Sequence, residues 1–78
     1  MVRWKRRLHF ETHAVNRMRQ RGISEEQVEA VVDKPDVARP SRRDGAVRLE
    51  KRLSTTKRLA VIVEETRDFV RVVTAFWM

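Results

Sequence analysis

"FVRVVTAFW" (Phe69 to Trp77) is apolar at every position except Arg71 and Thr74, and how it is read decides the fold. A run apolar on both sides is expected of a strand paired near the middle of a sheet or covered by a partner. Just before it, "KRLAVIVEE" (Lys57 to Glu65) places Leu59, Val61 and Val63 on one side. Further back, Val47, Leu49 and Leu53 alternate with Arg48, Glu50 and Arg52, the period of a half-buried strand. Thr55-Thr56 connects these two runs into a hairpin, Asp44-Gly45 is the turn entering the first, and Val37 to Ser41 has room for a short edge strand.

Helical patterning fills the N-terminal half. Thr12 is placed to cap a helix from about His13 to Arg21, with Gly22 as its left-handed stop. Ser24 and Gln27 have the spacing of a capping box, and Glu25 and Glu26 sit where the helix dipole favours anions. Val28, Val31 and Val32 share one face of this second helix, which Pro35 ends near Asp33 or Lys34. The expected architecture is α+β: two N-terminal helices on one face of a three- or four-stranded antiparallel sheet. It forms a single domain over residues 1–78, with residues 1–9 as a basic N-terminal arm.

Composition narrows the chemistry. At 78 residues the chain buries only about 60% of the surface its unfolded form exposes, so its core must be thin. Eighteen Lys and Arg against 11 Asp and Glu give a formal charge of +7. Such an excess favours polyanions, and the preponderance of Arg suits bidentate contact with phosphate or carboxylate. It is also what a well-solvated surface rich in Arg looks like. With no cysteine, disulfides, iron–sulfur clusters and thiolate zinc sites are excluded. The longest apolar run, Leu59 to Val63, falls far short of a membrane span, and "MVRWKRRLHF" lacks the apolar middle of a secretory signal. A cytoplasmic protein without membrane attachment is expected, although the arm's Val2, Trp4, Leu8 and Phe10 could lie on a membrane surface.

Two groups of residues carry candidate function. The first is on the sheet. The face away from the helices is expected to present Arg48 and Arg52 on one strand and Arg58 on the next. If the last strand shows its odd positions, it adds Phe69, Arg71, Val73, Ala75 and Trp77. Guanidinium groups mixed with an aromatic ring suit single-stranded RNA, held by phosphate contact and base stacking. Lys5, Arg6 and Arg7 of the arm would extend that basic track. The plainer alternative is that these charges keep the sheet soluble while Trp77 covers the core edge. Arg71 differs from the rest, since a charge inside an apolar strand needs a partner or a groove.

The second group is on the first helix. His13, Arg17 and Arg21 are four apart and so form one slanting ridge. There an imidazole can exchange protons near neutral pH while a guanidinium holds a phosphate. A purely structural use also fits, with His13 at the helix boundary and Arg17 and Arg21 pairing with carboxylates such as Glu29. His9 and His13 are four apart too, but "HFETH" lacks the pattern of a zinc site and no metal is assigned.

The stretch "HAVNRMRQRGIS", followed by an acidic capped helix and a Val-rich strand ending "VVTAF", resembles a family of small prokaryotic domains of unknown function. Their opening reads H-A-x-x-R-M-x-x-R-G-I, matched here by His13, Ala14, Arg17, Met18, Arg21, Gly22 and Ile23. The family is grouped at fold level with the RelE-like and BrnT-like ribonuclease toxins of toxin–antitoxin pairs. The resemblance therefore implies a RelE-like sheet receiving RNA, cleaved without a metal or other cofactor by attack of a ribose 2′-hydroxyl on the adjacent phosphate. It implies His13 as acid or base, Arg17 and Arg21 as phosphate clamps, and Arg71 or Arg58 as stabilisers. An antitoxin-like protein is the implied partner. The chain departs from those toxins in having no Tyr, and in carrying Phe76 where the family commonly shows an aromatic hydroxyl. Three classes thus stand side by side: a toxin-type endoribonuclease, a non-catalytic nucleic-acid binder, and a protein-interaction module that pairs its last strand with a partner or with its own copy as a homodimer.

Overall fold

A computed structural model describes residues 7–42 and 45–78. In chain order the described residues form β1 (Arg7–Phe10), α1 (Thr12–Arg21), α2 (Glu25–Asp33), β2 (Val37–Pro40), β3 (Ala46–Arg52), β4 (Arg58–Glu65) and β5 (Phe69–Trp77).

Local signals set the helices as their chemistry requires. Gly22 takes φ 66° and its N–H reaches back to the α1 carbonyls, a left-handed stop that a side chain would resist. At the start of α2, Ser24 Oγ accepts from the Gln27 N–H at 3.1 Å while Gln27 Oε1 accepts from the Ser24 N–H at 2.9 Å. The capping box is complete. α1 begins one residue earlier than expected: Thr12 is its first residue, and Glu11 holds the cap position without a side-chain bond.

The sheet corrects the expected one. It has five strands in the order β1-β5-β4-β3-β2, and it is mixed, not purely antiparallel. The pairs β2–β3, β3–β4 and β4–β5 are antiparallel. The added strand is β1, whose first three residues were expected in the basic arm, and it pairs parallel to β5 with His9 beside Arg71 and Phe10 beside Val72. A parallel neighbour requires a crossover, which α1 and the elements after it supply. β5 therefore lies between β1 and β4, with a hydrogen-bonded neighbour on each side. β1 covers only residues 69–72 of β5, and among the described residues no strand pairs with residues 73–77 on that side, which narrows strand pairing with a partner to the second half of β5.

Both helices lie on one face. Ala14 and Met18 of α1, Ile23 of the linker, and Val28 and Val31 of α2 meet Leu49, Leu59, Val61, Val63, Val70, Val72 and Ala75 of the sheet. The sheet side of this core is mostly Val, a side chain suited to a pleated surface. The carbonyl of Lys34 accepts from Lys51 Nζ at 2.9 Å, and Asp36 Oδ2 accepts from the Arg52 N–H at 2.9 Å, which ties the end of α2 to β3.

One irregularity sets which residues face out. Between β4 and β5 the register runs Ile62↔Thr74 and then Val63↔Val72, so Val73 has no counterpart. This bulge inserts one residue, and one residue inverts the alternation of everything beyond it. Phe69 and Arg71 point away from the helices as expected. Past the bulge the expectation reverses: Ala75 is fully buried and Trp77 packs against the core, while Thr74 and Phe76 take the open face.

Candidate nucleic-acid interface

The open face is built from the alternate residues of all five strands. At its centre is Glu50, 2% exposed although it lies on the side without helices. Three guanidinium groups share its carboxylate. Arg48 Nε donates to Oε2 at 2.7 Å, Arg58 Nη2 donates to Oε1 at 3.4 Å, and Arg39 Nε lies 3.6 Å from Oε2. The register explains the convergence: Arg39 pairs with Arg48, and Arg52 with Arg58, on the rows either side of the row that joins Glu50 to Ala60 and Phe76. Long Arg stems over Ala60, itself fully buried, shield this part of the sheet while leaving their charged ends wet. Arg48 also lies over the Phe76 ring, 5.1 Å from its centroid, a cation–π contact.

The charges in this half of the face are out of balance. Arg39, Arg48 and Arg58 share one carboxylate, and their side chains remain 58%, 31% and 42% exposed; Arg52 follows on the same face, its N–H held by Asp36. Each guanidinium has five N–H donors, so one shared carboxylate leaves most of them available to water or to an arriving anion. Arg58 Nε is buried with no hydrogen-bond partner among the described residues.

The other half is balanced. Arg71 lies between Glu64, whose Oε1 accepts from its Nη1 at 3.4 Å, and Glu11, 3.6 Å from its Nε. The partner that a charge in an apolar strand needs is thus internal. His9 sits beside Arg71 in the same row, its ring 5.5 Å from that of Phe69. His9 is the imidazole that the strand alternation brings to this face.

The helical ridge lies elsewhere. His13 and Arg17 are exposed on α1, a helix whose buried side is directed at the covered face of the sheet. Arg21 is tied down: its Nη1 donates to the Ala75 carbonyl at 2.8 Å, and Trp77 Nε1 donates to the Arg21 carbonyl at 2.6 Å. Lys57 Nζ completes the cluster, 5.4 Å from the Trp77 ring. The structure therefore separates the two candidate groups, with the ridge on the helical layer and Arg48, Arg52, Arg58 and Arg71 on the open face. Trp77 joins the ridge, through Arg21, and not the open face. Lys5 and Arg6 lie outside the described residues, and Arg7 stands at the sheet edge as the first residue of β1.

Sequence reasoning missed Arg39, His9 and Phe76. Arg39 belongs to an edge strand too short to assign faces, and Phe76 was hidden by the bulge. The alternation Arg-Leu-His-Phe at residues 7–10 was the available signal for β1 and its outward His9. Among the described residues no cluster of His, Asp and Glu could hold a metal ion, and no helix is long and apolar enough to cross a membrane.

A family model described as Domain of unknown function (DUF4258) matches residues 10–77. Comparison with curated proteins and with solved structures finds no significant match.

Proposed function

We propose, for a chain that belongs to the DUF4258 family of domains of unknown function, that the open sheet face binds single-stranded RNA. The single observation that carries this reading is the surplus of guanidinium around Glu50: Arg39, Arg48 and Arg58 share its one carboxylate. In this reading phosphates bridge the Arg ends, and an unstacked base lies on the Arg48–Phe76 pair. The ligand is an RNA of the cytoplasm. The finer, toxin-type reading adds an antitoxin-like partner, whose acidic segment would compete with RNA for the same guanidiniums.

Binding without cleavage is the form we favour. A strand lying over Arg48 and Arg58 does not meet His13, which rides on the opposite layer, and His9 stands beside Arg71 in the other half of the face. General acid–base catalysis needs the acid or base within hydrogen-bond reach of the reacting proton. Fluorescence anisotropy with a labelled single-stranded RNA tests the reading. Arg48→Ala with Arg58→Ala should weaken binding at least tenfold, whereas His13→Ala should leave it unchanged. Equal affinity of the double variant and the parent would overturn the assignment of the face. RNA cut by the parent and left intact by His13→Ala would restore the toxin-type reading.

A further inference from the structure

We propose that the charge-balanced half of the open face, around His9, Phe69, Arg71 and Glu11, is a base-recognition subsite that selects guanine in the bound RNA. This inference rests on the RNA reading of the face and names the base that its second half takes.

The place follows from the strand pairing. β1 and β5 run parallel, and their register sets His9 beside Arg71. The His9 ring meets that of Phe69 with centroids 5.5 Å apart and planes tilted by 50°. His9 is exposed and Phe69 half-buried, so the pair offers an imidazole surface supported from one side by a phenyl ring. Unpaired bases stack on aromatic side chains of this kind. Phe69 and Phe76 stand near the two ends of β5, about 20 Å apart along an extended strand. The two halves of the face are therefore several nucleotides apart, and one short RNA can reach both.

Charge selects a base over the backbone. Arg71 stands between Glu64 Oε1, which accepts from its Nη1 at 3.4 Å, and Glu11 Oε1, 3.6 Å from its Nε. Two carboxylates beside one guanidinium repel a phosphate, unlike the three guanidiniums that share Glu50. What suits this group is a neutral partner with donors and acceptors side by side. A guanidinium has five N–H donors, and the two contacts of Arg71 engage Nη1 and Nε, which leaves Nη2 to donate. The Glu11 side chain is 37% exposed and its carboxylate only accepts. Guanine carries two adjacent donors, N1–H and the N2 amino group, that match both oxygens of a carboxylate, and two acceptors, O6 and N7, that match a guanidinium. Adenine and cytosine present one amino group beside a ring acceptor, and uracil a single N–H between two carbonyls. Each of these sets an acceptor against the carboxylate, which is what makes the subsite selective.

The test uses the full chain and four labelled RNA octamers in which uridine alternates with guanosine, adenosine, cytidine or further uridine, so that a small shift of the strand always brings the second base to the subsite. Fluorescence anisotropy should show the guanosine octamer binding at least fivefold more tightly than the other three. Glu11→Gln, at a cap position whose side chain makes no cap bond, should abolish that preference and leave affinity for the all-uridine octamer within twofold. His9→Ala should weaken binding of the guanosine octamer at least threefold, and His9→Phe should hold the parent's value, since stacking needs a ring and not an imidazole. Circular dichroism and thermal melting confirm that each variant is folded. Equal affinity of the parent for all four octamers, a guanosine preference that survives Glu11→Gln, or unchanged binding in His9→Ala overturns the proposal and leaves the RNA reading standing. Absence of binding to every octamer removes the RNA reading and this proposal together. Displacement of the guanosine octamer by an equal concentration of guanosine monophosphate would assign the subsite to a free nucleotide, and likewise overturns it.

Discussion

Arg21 and Trp77 each hold the other's segment. The guanidinium donates to the carbonyl of Ala75, and the indole N–H returns a bond to the carbonyl of Arg21. α1 has used its last turn by that point, so the Arg21 carbonyl has no intrahelical donor and the indole satisfies it. Trp77→Phe keeps much of the packing and removes that donor. It should cost about 1 kcal/mol, read as a lowered urea midpoint. Glu50→Ala is a different loss, because it leaves three guanidiniums facing one another. They are partly exposed and can rehydrate, so the cost should be about 1–3 kcal/mol, below that of a fully buried pair. The spacing of His13, Arg17 and Arg21 was legible as a ridge. The role of Arg21 was not, since its partners are more than 50 residues away in the chain and no local period encodes them.

Among the elements, the parts held by short-range chemistry were the legible ones. Gly22 and the Ser24–Gln27 box place the helix boundary, and the two antiparallel hairpins of β3, β4 and β5 follow from alternation and turn residues. Ser24→Ala should cost about 1 kcal/mol by removing one arm of the box. Gly22→Ala should cost a similar amount, about 1 kcal/mol. An added Cβ would meet nothing within 4 Å there, so the penalty would come from the φ of 66° alone. Both are measurable by denaturant melts. The bulge at Val73 was not legible, because Val72 and Val73 are equally apolar and either could serve as the extra residue. Deleting Val73 should remove the bulge and leave Thr74 and Phe76 on the open face with Ala75 and Trp77 against the core, because Val72 and Thr74 then pair in regular succession with Val63 and Ile62. The shortened chain is expected to keep a cooperative thermal transition, as followed by circular dichroism, whereas inserting a second residue beside Val73 should abolish it by turning Ala75 and Trp77 outward.

At the scale of the molecule the open face carries a guanidinium surplus, with Arg39, Arg48 and Arg58 sharing the carboxylate of Glu50. If three phosphates are engaged, the logarithm of RNA affinity should fall with the logarithm of salt at a slope of about −2. Arg58→Ala should make that slope shallower by about 0.7. A titration at several potassium chloride concentrations reads both. The class of the fold and the basic sheet face were visible in the sequence because alternation is local. The fifth strand and its parallel pairing were not, since "RLHF" is too short to stand out from a basic arm and its neighbour in the sheet comes last in the fold.

That pairing bears on how the molecule assembles. Arg7 meets Phe69, and Phe10 meets Val72, across nearly the full length of the domain. Closing so long a loop loses chain entropy before any contact compensates for it, which places the chain among the slower small folders, with times of milliseconds to seconds. During synthesis β1 must also wait for β5 to emerge, and until then its apolar side has no strand beside it.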